Sequence, residues 1–139
     1  MVKIITGGKG TGKTKRLIER IRASAANTDG YVVCIDKGEK LRSELPISVR
    51  MVDTVYYNIY SFESFYGLIA GLVAGNYDIK NIFVDAILKV GGADFDALAA
   101  MFSKIDKLTT DEVEVLFTVS ADDKELPEHI LKYQAAETN

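Results

Sequence analysis

Residues Gly7 to Thr14 read GGKGTGKT, and Gly7, Gly12, Lys13 and Thr14 stand at the spacing G-x-x-x-x-G-K-[ST]. Each residue type in that string suits a bound phosphate chain. Glycines at 7, 8, 10 and 12 permit positive φ and remove side chains that would hold phosphate oxygens away from the backbone amides. Lys13 is a compact cation able to reach terminal phosphate oxygens, and the Thr14 hydroxyl is a hard oxygen suited to Mg²⁺. Lys9 and Thr11 complete an eight-residue nucleotide-binding candidate, with Lys9 at the loop tip, where it favours an anion.

A phosphate loop that handles Mg²⁺ needs a carboxylate at the end of a hydrophobic strand. Ile82-Phe83-Val84-Asp85 supplies one. Asp85 is therefore expected to hold Mg²⁺ through a water, opposite Thr14, and Lys13 and Asp85 are the catalytic candidates.

These residues need a strand before the loop and a helix after it, with phosphate at the helix N-terminus. Val2–Thr6 is a β-branched apolar run. From Lys13 to Ala26, Leu17, Ile18, Ile21 and Ala25 recur at helical spacing, with charged residues largely opposite. Three further runs, Tyr31–Ile35, Ile79–Val84 and Val113–Val119, read as strands buried on both faces. Helices are expected at 61–75, capped by Ser61, from Asp94, and after Pro127. Between residues 36 and 60 the pattern allows a short helix at Lys37–Leu45 and extra strands at Val49–Asp53 and Thr54–Tyr60. Alternation of strand and helix implies an α/β fold, a three-layer α/β/α sandwich around a mainly parallel sheet of four or five strands. Residues 1–135 are expected to form one domain and 136–139 a frayed tail.

Composition narrows the classes. Of the 139 residues, 47% are hydrophobic and 27% charged, which is ordinary for a soluble globular domain. The most apolar stretch, Phe65–Ala74, is too short and glycine-broken to span a bilayer. One Cys and one His are too few for a protein-built zinc site, and Cys34, inside an apolar run, reads as a core thiol. The cytoplasm is the expected location. Residues 1–60 carry 11 Lys/Arg against 6 Asp/Glu, and residues 61–139 carry 6 against 14, giving the net charge of −3. That acidic total argues against broad binding to nucleic acid.

On Gly7, Gly12, Lys13, Thr14 and Asp85 the chain resembles a minimal P-loop NTPase of the RecA/AAA-like division. The resemblance implies that a later strand, Val113–Val119, inserts between the phosphate-loop strand and the Asp85 strand. With the four strands numbered along the chain, this gives the order 2-3-4-1. It also implies a polar sensor at the tip of that inserted strand, where Thr118 and Ser120 are available and Ser120 is chosen. Asp36, ending the second strand, would face the same ligand-binding edge.

Two departures from the family pattern shape the functional expectation. Hydrolases of this division commonly carry a glutamate directly after the strand-end aspartate, and here that position is Ala86, so a water-activating base must come from Glu63, Asp36 or Asp53 or from elsewhere. All five arginines (Arg16, Arg20, Arg22, Arg42, Arg50) precede residue 51, so the arginine-bearing lid of small kinases is missing from the second half. The leading expectation is an ATP-binding protein with slow Mg²⁺-dependent hydrolysis, its site completed by a protein partner or by self-association. The alternatives are a non-hydrolysing nucleotide-binding regulator and a small-molecule kinase using Asp36. No N-K-x-D element is present, which favours ATP over GTP.

Overall fold

The computed structural model describes residues 1–135, so the expected tail at 136–139 lies outside the described residues. Five strands form one all-parallel sheet: β1 (Val2–Thr6), β2 (Tyr31–Asp36), β3 (Arg50–Asp53), β4 (Ile79–Val84) and β5 (Glu114–Val119). Their spatial order is β1-β5-β4-β2-β3. The connecting helices are α1 (Lys13–Asn27), α2 (Phe62–Gly75), the short α3 (Leu88–Gly91), α4 (Phe95–Thr109) and the single-turn α5 (Glu128–Leu131).

The inner strands are apolar at nearly every position because helices cover both faces of the sheet. On one face Val33, Ile35, Ile82, Val84, Val115 and Phe117 pack beneath Phe65 and Ile69 of α2 and Phe102 and Ile105 of α4. The Phe117 ring lies 4.8 Å from that of Phe102 and 5.9 Å from that of Phe65, centroid to centroid. On the other face Val32, Cys34, Phe83 and Leu116 pack beneath Leu17, Ile18 and Ile21 of α1. Adjacent residues of one strand thus serve different layers, as period-two geometry requires.

Helix starts follow their caps. The Ser61 hydroxyl accepts the Ser64 N–H at 3.0 Å, and the Ser64 hydroxyl accepts the Ser61 N–H at 3.2 Å, a reciprocal box that opens α2. The Asp94 carboxylate accepts the Ala97 N–H at 3.1 Å and opens α4. At the outer edge of β1, Ile4 N–H donates to the Tyr133 carbonyl and its carbonyl accepts the Ala135 N–H, both at 2.9 Å. The end of the described chain therefore covers that edge.

Between β2 and β3 the structure departs from the sequence reading. The segment Lys37–Leu45 forms only a 3₁₀ turn at Arg42–Glu44. The Asp36 carboxylate takes the N–H groups of Lys37 and Leu41, and Gly38 and Glu39 adopt φ of 84° and 55°, a path no helix can follow. Val49–Asp53 is a strand from Arg50 onward, but Thr54–Tyr60 is a turn. The Asp53 carboxylate accepts N–H groups from Gly38 and Val55, and Asn58 at φ 57° bends the chain. Helix α3 has no counterpart in the sequence reading. Among the described residues no helix is long and apolar enough to cross a membrane.

Burial pushes the Cys34 thiol up to about 12, and its side chain is fully enclosed between sheet and α1. Alkylation by iodoacetamide at pH 8 is therefore expected to be negligible in the native protein and complete in 6 M urea. Rapid native labelling would show that α1 does not seal this face.

Candidate functional site

All five strands point their C-terminal ends to one edge of the sheet, and the loop 7–12 lies there between β1 and α1. Its conformation depends on glycine at two places above all. At Gly7, φ is 149° and an added Cβ would sit 2.4 Å from Thr11 Oγ1, so the loop closes on itself only without a side chain. At Gly12, φ 81° and ψ 18° set the left-handed turn that launches α1. Thr11 Oγ1 donates to the Gly8 carbonyl at 2.7 Å and secures the curl.

The start of α1 has no side-chain cap and no acidic residue in its first turn. Its unpaired amides and the positive end of its dipole thus face the loop. Lys13 Nζ donates to the Gly8 carbonyl at 2.9 Å. Lys13 is only 8% exposed. Burial holds its ammonium below the usual lysine range, Asp85 opposes that shift, and the charges of Arg16 and Lys89 add to it. Lys9, Gly10, Thr11 and Thr14 are exposed, and Gly7 and Gly8 are half-buried.

Asp85 follows β4 directly, its N–H donating to the Ile35 carbonyl of the neighbouring strand at 3.1 Å. Thr14 Oγ1 lies 3.4 Å from each of its carboxylate oxygens, although the two residues are 71 apart in sequence. A hydroxyl and a carboxylate at this separation, beside a ring of amides, form a hard-oxygen set that fits Mg²⁺ when phosphate supplies the remaining ligands.

Behind Asp85 stands Thr118, 1% exposed. Its Oγ1 donates to Asp85 Oδ1 at 2.7 Å and accepts the Ala86 N–H at 2.6 Å. Its carbonyl accepts the Ile87 N–H at 3.2 Å. Ala86 is held at φ 55°, which bends the chain from β4 into α3. Ser120, the sensor chosen on sequence, is exposed just beyond the end of β5, and the hydroxyl that bonds Asp85 is that of Thr118. The sequence signal was available but ambiguous, since both hydroxyls sit near the tip of β5.

Asp36 sits at the end of β2 and is 4% exposed. Burial is the main force raising its carboxyl above the ordinary value, the nearby Asp85 charge adds to this, and the Lys37 and Leu41 amides oppose it. Its oxygens are engaged by those two amides at 2.7 and 3.2 Å. Asp53 is likewise committed to backbone amides, which hold its carboxyl below the ordinary range. Glu63 is exposed in the first turn of α2.

Beside the loop, a cavity of about 380 Å³ runs along the outer side of β1, with Gly7, Gly8 and Thr11 at one end and Arg16, Arg20 and Asp122 among its walls. A larger groove of about 940 Å³ lies between β3 and α2 and includes no residue of the loop. The smaller cavity touches the loop at Gly7, Gly8 and Thr11, but Lys13, Thr14 and Asp85 do not line it, so the meeting of Thr14 with Asp85 lies outside it. No protein-family model matches the chain, and no curated protein matches it in sequence.

Asp36 carries a testable consequence for the loop that follows it. Asp36→Ala removes the acceptor of two backbone amides and should cost about 2 kcal/mol in urea unfolding. Because burial raises the Asp36 carboxyl in the fold above its ordinary 3.8, the native state takes up that proton first. Relative to Asp36→Asn, the parent should gain stability as pH falls through the raised value. That advantage should be full below the unfolded pKa and lost as pH rises through the folded one. A pH-independent difference between the two proteins would remove the assigned electrostatics.

Proposed function

We propose that the chain is a minimal P-loop NTPase of the RecA/AAA-like type that binds Mg²⁺ and ATP on Gly7–Thr14. The observation carrying this reading is the meeting of Thr14 and Asp85 beside the uncapped start of α1. The amides of the loop and of the first helical turn cradle the phosphates. Lys13 exchanges the Gly8 carbonyl for a terminal phosphate oxygen, a trade its low exposure makes favourable, since a buried ammonium gains from an anion. Thr14 and, through water, Asp85 would hold Mg²⁺, which would supply charge neutralisation for the bound phosphates.

Hydrolysis in this reading is slow. The position after Asp85 is Ala86, and Asp36 and Asp53 spend their carboxylates on backbone amides. In this reading a partner protein or a second copy of the chain completes the site with a water-positioning group and an arginine, in the cytoplasm where ATP is abundant. Those same committed carboxylates favour a second reading, a regulator that holds ATP without turning it over. A kinase using Asp36 is disfavoured because that carboxylate is only 4% exposed, leaving an acceptor hydroxyl little access to it.

Calorimetric titration with ATP, in EDTA and in Mg²⁺, together with phosphate release, tests the proposal. Lys13→Ala should lower ATP affinity about thirty-fold or more, equivalent to about 2 kcal/mol for a lost charged contact. Asp85→Asn should weaken binding in Mg²⁺ while leaving binding in EDTA nearly unchanged. Unaltered affinity in folded Lys13→Ala would defeat the reading. Binding without phosphate release would select the regulator over the slow hydrolase.

A further inference from the structure

We infer that Thr118 is the positioning residue that fixes the Asp85 carboxylate for Mg²⁺, and that it does so through its hydroxyl rather than through packing. The inference rests on the nucleotide reading above and adds to it the origin of metal affinity. Thr118 touches neither the phosphate loop nor Thr14 by hydrogen bond. It acts through Asp85.

An aspartate at a strand end turns about two side-chain torsions, and a carboxylate free to turn presents either oxygen in many directions. The Thr118 hydroxyl removes that freedom. It has one proton, and that proton is given to Asp85 Oδ1. The direction of the gift is fixed because the same oxygen is already accepting the Ala86 N–H, so its hydrogen must point elsewhere. The chain Ala86 N–H to Thr118 hydroxyl to Asp85 is therefore oriented from end to end, with each donor polarising the next. Engagement of Oδ1 by Thr118 leaves Oδ2 as the oxygen without this second tie, while both oxygens lie 3.4 Å from Thr14 Oγ1.

Backbone geometry holds Thr118 in place in turn. Thr118 pairs with Ile5 across the β1–β5 ladder, and its carbonyl accepts the Ile87 N–H. Both sides of the Asp85–Ala86 bend are thus anchored to one residue of β5. A valine at 118 keeps the branched shape and the strand preference but has no hydroxyl. A serine keeps the hydroxyl and loses only a methyl. That pair of variants separates hydrogen bonding from packing.

The experiment is calorimetric titration of ATP into the full chain across a Mg²⁺ series and in EDTA. It is run for the parent, Thr118→Val and Thr118→Ser, after circular dichroism has shown each to be folded. Thr118→Val should raise the Mg²⁺ concentration for half-maximal tightening about ten-fold and change ATP affinity in EDTA by less than two-fold. Thr118→Ser should restore the Mg²⁺ dependence to within about two-fold of the parent. If valine prevents folding, Thr118→Ala serves as the hydroxyl-free variant with the same expectations. Parent-like Mg²⁺ dependence in the hydroxyl-free variant overturns the inference while leaving the nucleotide reading intact. So does a serine variant as defective as the valine one. Absence of ATP binding by the parent in both conditions overturns the nucleotide reading and this inference together.

Discussion

Strand β5 pairs along both of its sides, and the geometry at the ligand edge depends on that double pairing. Val115 lies between Val2 and Ile82, and Phe117 between Ile4 and Val84. A parallel ladder fixes relative height as well as spacing. Once β5 is seated, the tip of β1 carrying the loop and the tip of β4 carrying Asp85 stand at matched levels across one intervening strand. A one-residue slip in either ladder would send Phe117 to the α1 face and Thr118 to the α2 face, and the hydroxyl would no longer meet Asp85.

Apolar packing makes that slip costly. Phe117 is fully buried between the rings of Phe102 and Phe65, and Leu116 is enclosed on the opposite face with Leu17 and Ile21. Exchanging their environments would place an aromatic ring in a space built for an aliphatic one, with a penalty of several kcal/mol for strain and voids. The polar geometry at this edge is thus held by side chains buried in the core. Order at the site begins in the core and reaches the edge through backbone register.

The parts of this arrangement that were legible in sequence are the local ones. GGKGTGKT announces its own loop because glycine placement and a following amphipathic run are contiguous. The strand cores and the caps at Ser61 and Asp94 were readable for the same reason. What could not be read depends on residues distant in sequence. Burial of Lys13 follows from the curl of the loop over it. Commitment of Asp36 and Asp53 to amides reshaped the segments 37–45 and 54–60, replacing the helix and strand that propensity allowed. The meeting of Thr118 with Asp85 joins residues 33 apart in sequence, a matter of register that no hydropathy pattern encodes. Helix α3 follows from a bend at Ala86 that an alanine does not advertise.

The cover that residues 133–135 place on β1 makes the two margins of the sheet unequal. At β1 the outward amide and carbonyl of Ile4 are already satisfied by the molecule's own chain, while among the described residues no strand lies beyond β3. Sheets polymerise when both margins are open, each new molecule offering a fresh edge to the next. Here a second molecule adding strand to strand at β3 would present only its own covered margin outward. Growth by edge pairing would end at two, so among the described residues the asymmetry of the sheet limits the consequences of the open edge at β3.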